Sequence, residues 1–161
     1  MVVINERLRI YASPLANIAL AALIAFTINC FPLPIMSGVR LIFGNLFAVA
    51  ITARYGLKAG LFVSVCASLP TLVLWGHGLA FIPFLLEIVV VHVAIKRRIH
   101  PILPAIIYWC TAGSLIVYLS YAYLGAFSFQ LSIAILLKYV INGIASTTVG
   151  YALYLLFINR K

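Results

Sequence analysis

The chain has 161 residues, 66% of them apolar and 8% charged, with a mean hydropathy of +1.21. That composition places its bulk in lipid and, at this length, excludes a large pump or a multi-domain enzyme. A formal charge of +9 would suit nucleic acid, but the cations, Lys138 apart, fall at the ends of apolar runs instead of forming a patch, which excludes that partner.

Apolar runs and the breakers between them predict six membrane-spanning helices, an all-α fold forming one transmembrane domain over 1–161. The first runs from Leu15 to Phe31, behind Arg7 and Arg9. It ends at Pro32 and Pro34 and not at a small-residue cleavage site, so it reads as a span and not as a signal peptide. The second, Val39 to Ala53, is short for a crossing and stops at Arg54-Tyr55-Gly56. The third, Leu57 to Trp75, turns at Gly76-His77-Gly78 into the fourth, Leu79 to Ile95, which Lys96-Arg97-Arg98 ends. The fifth covers Pro101 to Leu124. The sixth covers Gln130 to Ile158, followed by Asn159-Arg160-Lys161. Ala21 and Ala25, like Gly56 and Gly60, stand four apart and allow close backbone approach, either inside the bundle or against a partner membrane protein.

Loop charges orient this layout. With the N-terminus cytoplasmic, the inner segments hold Arg7, Arg9, Arg54, Lys58, Lys96, Arg97, Arg98, Arg160 and Lys161, against Arg40 alone on the outer side. Such a bias fits an even number of spans, with both termini inside.

Glu87 and Glu6 are the only carboxylates, and Glu87 alone lies within the hydrophobic bulk. A charge at membrane depth costs roughly 2.5–3.5 kcal/mol by insertion scales, so it is seldom kept without a partner or a purpose. Lys138 is the expected partner. Glu87 is about 14 Å into the fourth span from its outer end, and Lys138 about 12 Å into the sixth. Asn142 falls one turn below Lys138 on the same face. Arg40 and Asn45 belong to the outer part of the second span, and Trp75 and His77 to the outer end of the third. The seven residues Arg40, Asn45, Trp75, His77, Glu87, Lys138 and Asn142 therefore define an outward-opening ligand site, with the Glu87–Lys138 ion pair at its floor. Arg40 and Lys138 suit an anionic group. Were Lys138 neutralised by Glu87, a neutral or zwitterionic ligand would fit as well.

Catalysis and cofactors find no support in the spacing. His77 and His92 are about 22 Å apart along one helix and cannot sandwich a haem. Cys30, Cys66 and Cys110 stand singly in apolar runs and read as small buried residues. Zinc spacing, a Ser/His/Asp set, a phosphate loop and a carboxylate pair are all missing from the sequence, so the chain reads as a binding module without a metal, a cofactor or a reaction of its own.

The stretch Gly38 to Phe47, then Tyr55-Gly56 through Gly60, Thr71, Leu74-Trp75-Gly76-His77 and Glu87 resembles a membrane-embedded input domain. That domain is found at the N-terminus of bacterial sensor histidine kinases and diguanylate cyclases. Tyr108-Trp109, Gly113 and Lys138 with Asn142-Gly143 extend the likeness, and Gly78 stands where a proline commonly follows the histidine. The resemblance implies signal transduction: a small-molecule ligand, surrounding lipid, a cytoplasmic output domain and a second copy of the chain as partners. The six-span layout is also similar to the substrate-binding component of energy-coupling-factor vitamin transporters, which implies a transmembrane coupling subunit as partner instead.

Overall fold

The computed structural model describes residues 13–36, 39–125 and 127–158. Glu6, Arg7, Arg9, Gly38, Asn159, Arg160 and Lys161, used in the sequence reading, lie outside them.

Helix α1 (Pro14–Cys30) starts where the Ser13 hydroxyl accepts the Ala16 N–H at 3.2 Å and Pro14 fills the first turn, a position that needs no amide donor. It gives way at Pro32 to a short antiparallel hairpin of β1 (Leu33–Met36) and β2 (Val39–Leu41), in which Pro34 faces Arg40. Helix α2 (Asn45–Tyr55) follows, and Gly56, at φ 85°, turns the chain into α3 (Leu57–Trp75). Gly76 ends α3 in the left-handed conformation, which glycine adopts without a Cβ penalty. Then come α4 (Phe81–Lys96), α5 (Ile102–Cys110) and α6 (Ala112–Leu119), the last continuing into a π-helical turn over Ser120–Leu124. Helix α7 (Phe129–Leu153) is capped by Ser128 and runs into a second π-helical turn, Tyr154–Ile158.

The fold is all-α apart from the hairpin. Three segments are long and apolar enough to cross a membrane: Leu57–Trp75, Ile102–Leu124 and Phe129–Leu156. The third and fourth helices begin and end within two residues of the sequence reading, because glycines and a basic run set their ends.

The expectation for the second helix needs correction. Residues 39–53 do not form one helix: they divide between strand β2, the irregular residues Ile42, Phe43 and Gly44, and the first part of α2. At eleven residues α2 is about 16 Å long, too short to cross a bilayer alone. It packs against α1, α3, α4 and α7 and so lies at the centre of the bundle. The fifth run keeps its expected extent as the candidate span Ile102–Leu124, with a local break at Thr111, where φ −127° and ψ −98° leave the helical region.

Small residues let α2 be surrounded at close range. Gly60 on α3 meets Thr52 and Ile88, Gly150 on α7 meets the Leu46 carbonyl and Val49, and Gly44 meets the Ala25 carbonyl of α1. Ala21 and Ala25 are buried in the same cluster as Ala48, Val49, Val63 and Ala67. Ala21, Ala25 and Gly60 therefore serve packing within the bundle, whereas Gly56, with nothing within 4 Å of where a Cβ would stand, serves the turn. In lipid such packing, and not hydrophobic transfer, holds helices together. A second cluster, around Ile42, Phe84, Trp109, Val117 and Tyr139, fills the half nearer the hairpin.

Candidate functional site

Glu87 is fully buried on α4 at the meeting point of four helices. The Asn45 amide at the start of α2 donates to its Oε2 at 2.6 Å, and the Thr147 hydroxyl of α7 donates to its Oε1 at 2.7 Å. Ser64 of α3 completes the set by donating to Asn45 Oδ1 at 2.7 Å. Both carboxyl oxygens are thus occupied by neutral donors, which is how a buried carboxyl is made tolerable without a cation.

The expected Glu87–Lys138 ion pair does not form. Glu87 lies six residues past the start of α4 but bonds Thr147, eighteen residues past the start of α7. The two helices do not begin at a common level, and Lys138 ends up about 14 Å along α7 from the residue Glu87 touches.

Two asparagines hold the non-helical stretch between β2 and α2. Asn142 accepts the Ile42 N–H at 3.2 Å and returns its own amide to the Ile42 carbonyl at 2.5 Å. Asn29 of α1 accepts the Gly44 N–H at 2.7 Å while donating to the Ala67 carbonyl of α3 at 2.7 Å. Irregular backbone inside an apolar bundle must have its polar groups paired, and these side chains do the pairing.

Beside the hairpin, at the end where α3 stops and α7 starts, lies a cavity of about 200 Å³. Its walls are Val39, Arg40, Trp75, His77, Tyr121, Phe127, Leu131, Ile135 and Lys138. Lys138 is 6% exposed. Its Nζ stands 4.4 Å from the centre of the Trp75 ring and 4.1 Å from that of Tyr139, two cation–π contacts. His77 packs edge-on against Tyr121 at 5.4 Å and Phe127 at 6.5 Å, and its Nδ1 is buried without a hydrogen-bond partner. Burial, reinforced by the charge on Lys138, holds the His77 imidazole below its ordinary 6.5, favouring the neutral ring. The Tyr121 hydroxyl is paired with that of Tyr139 at 2.8 Å, which fixes the back of the cavity.

The seven residues grouped by sequence thus divide into three sets. Arg40, Trp75, His77 and Lys138 line the cavity. Asn45 and Glu87 form the buried four-helix junction, and Asn142 clamps Ile42. Sequence reasoning missed Tyr121 of the fifth run and Phe127 just beyond it, which no spacing distinguishes from the other aromatic residues around them. It also missed Asn29, Ser64 and Thr147, each a polar residue in an apolar helix and so a signal open to notice.

No family model, curated protein or solved structure matches this chain. Among the described residues no group of three or more His, Cys, Asp or Glu side chains is placed to hold a metal ion. What the arrangement can do is bind: a walled, largely apolar cavity with a few convergent polar groups is the usual form of a small-molecule site.

Proposed function

We propose that this chain is the membrane-embedded sensory input domain of a bacterial signalling protein and binds a small molecule in the hairpin-side cavity. The observation that carries this reading is the route of α7. Leu131, Ile135 and Lys138 on its early turns line the cavity, and the same continuous helix then passes the Asn142 clamp and the Glu87 junction on its way to the opposite end. An occupant that prefers one position of α7 would shift the populations of that helix, and only such a difference in affinity can transmit a signal.

In this reading the chain crosses the inner membrane six times. The hairpin and α2 together make the second crossing, and both termini are cytoplasmic. Arg54, Lys58 and Lys96 to Arg98 cluster where α2 ends, α3 begins and α4 ends, so the positive-inside rule turns that end inward and the cavity outward. A cytoplasmic kinase or cyclase domain is the output partner, and the chain itself performs no chemistry.

Native mass spectrometry of the domain extracted from membranes tests the binding part. A small molecule retained by the wild type and lost from Trp75→Ala supports it, and none retained by either counts against it. The reading frame beyond Lys161 tests the role. A coiled coil and catalytic domain would support sensing, whereas co-purification with an ATPase-coupled membrane subunit would replace it with vitamin uptake.

A further inference from the structure

Resting on the cavity reading above, we infer that the ligand is a small organic monoanion, a carboxylate on a flat aromatic or short aliphatic body, with its charged end at Lys138 and Arg40. Lys138 is more than nine-tenths buried and faces the cavity, yet no acidic side chain among the described residues reaches it. Glu87, the one acid among them, already has both oxygens engaged by Asn45 and Thr147. The rings of Trp75 and Tyr139 supply part of the compensation that a desolvated ammonium needs, but they carry no net charge. Arg40 adds a second cation to the same walls. The charge balance of the cavity therefore asks for an anion.

The other classes fit less well. A quaternary ammonium would seek the aromatic faces, but the place over Trp75 is taken by Lys138. A nucleotide is too large for a cavity of about 200 Å³, which falls below the usual range for drug-sized ligands. A bare inorganic anion would leave Val39, Leu131, Ile135 and the Tyr121–Phe127 stack, with centres 5.8 Å apart, without a use. A flat apolar body against those walls satisfies them. The unpaired Nδ1 of His77 offers one further polar contact at the cavity wall.

The test uses the detergent-purified chain, with benzoate and hexanoate as carboxylate probes and benzamide, benzylamine and phosphate as controls, read by Trp fluorescence and thermal shift. Either carboxylate should bind at least about tenfold more tightly than benzamide, as loss of a charged hydrogen bond would give. Arg40→Gln, at an exposed position, should weaken carboxylate binding without changing the melting temperature of the unliganded protein. Lys138→Met should abolish binding, and Lys138→Arg should restore part of it. Equal binding of benzamide, or preference for benzylamine or phosphate, overturns the carboxylate assignment and leaves the cavity as a site for another class. Failure of every probe overturns the assignment too. If native mass spectrometry also finds no retained molecule, the cavity reading itself falls.

Discussion

Replacing Glu87 by leucine removes both acceptors at the four-helix junction while keeping its approximate volume. Asn45 is 2% exposed, and its amide would lose the carboxyl oxygen at 2.6 Å in a place that burial shuts off from bulk solvent. Thr147 suffers less, because a helical threonine can turn its hydroxyl to the carbonyl four residues earlier. One orphaned buried donor costs about 1–3 kcal/mol. For a chain of this size that is a fall in melting temperature of roughly 2–12 °C. Glutamine should behave differently. Its side-chain oxygen can face Asn45, and its amide can face Thr147, whose hydroxyl turns to accept, so the cost should stay below about 1 kcal/mol. Thermal unfolding in detergent, followed by tryptophan emission, separates the two cases. If Glu87→Leu melts with the wild type, or no lower than Glu87→Gln, the junction is not held by these hydrogen bonds and the reasoning fails.

Other outcomes follow from the same contacts. Glu87→Gln and Lys138→Met should be additive in stability to within about 0.5 kcal/mol, as for sites that share no partner; a strong coupling in the double-mutant cycle would restore the ion pair. Gly143→Ala should destabilise, because a Cβ there would enter the Trp109 indole. Overpacking of about 1–3 kcal/mol outweighs the roughly 1 kcal/mol gained in helix propensity, so an unchanged or raised melting temperature would contradict the packing. His77 carries a pH signature. Its folded-state value lies below 6.5, so both states are neutral above that pH. As pH falls through 6.5 the unfolded chain takes up a proton the folded one resists, and stability drops. Melting curves at about pH 7.5 and pH 5.5 should show this loss in the wild type and a smaller one in His77→Gln.

Much of the architecture was legible in one dimension because its causes are local. Gly56 and Gly76 bound α3 through conformations that glycine reaches cheaply, Pro32 and Pro34 follow the end of α1, and Lys96 to Arg98 end α4. The cost of a charge in lipid likewise marked Glu87 and Lys138 as residues in need of partners, and position alone drew attention to Asn45 and Asn142. Which partner each one takes was not written locally. Hydropathy cannot tell an extended apolar stretch from a helical one, so residues 39–44 became strand and irregular backbone only because Asn142 and Asn29 arrive from α7 and α1 to pair the polar groups of Ile42 and Gly44. Depth counted from the start of each run assumed that α4 and α7 begin level. The offset between them brings Thr147 to Glu87 and leaves Lys138 to the rings of Trp75 and Tyr139. The sequence alone determines that these buried polar groups must be satisfied, since that is a property of each side chain in an apolar medium. Only the tertiary structure decides by which neighbours, because helix offset and rotation are settled by the packing of the whole bundle.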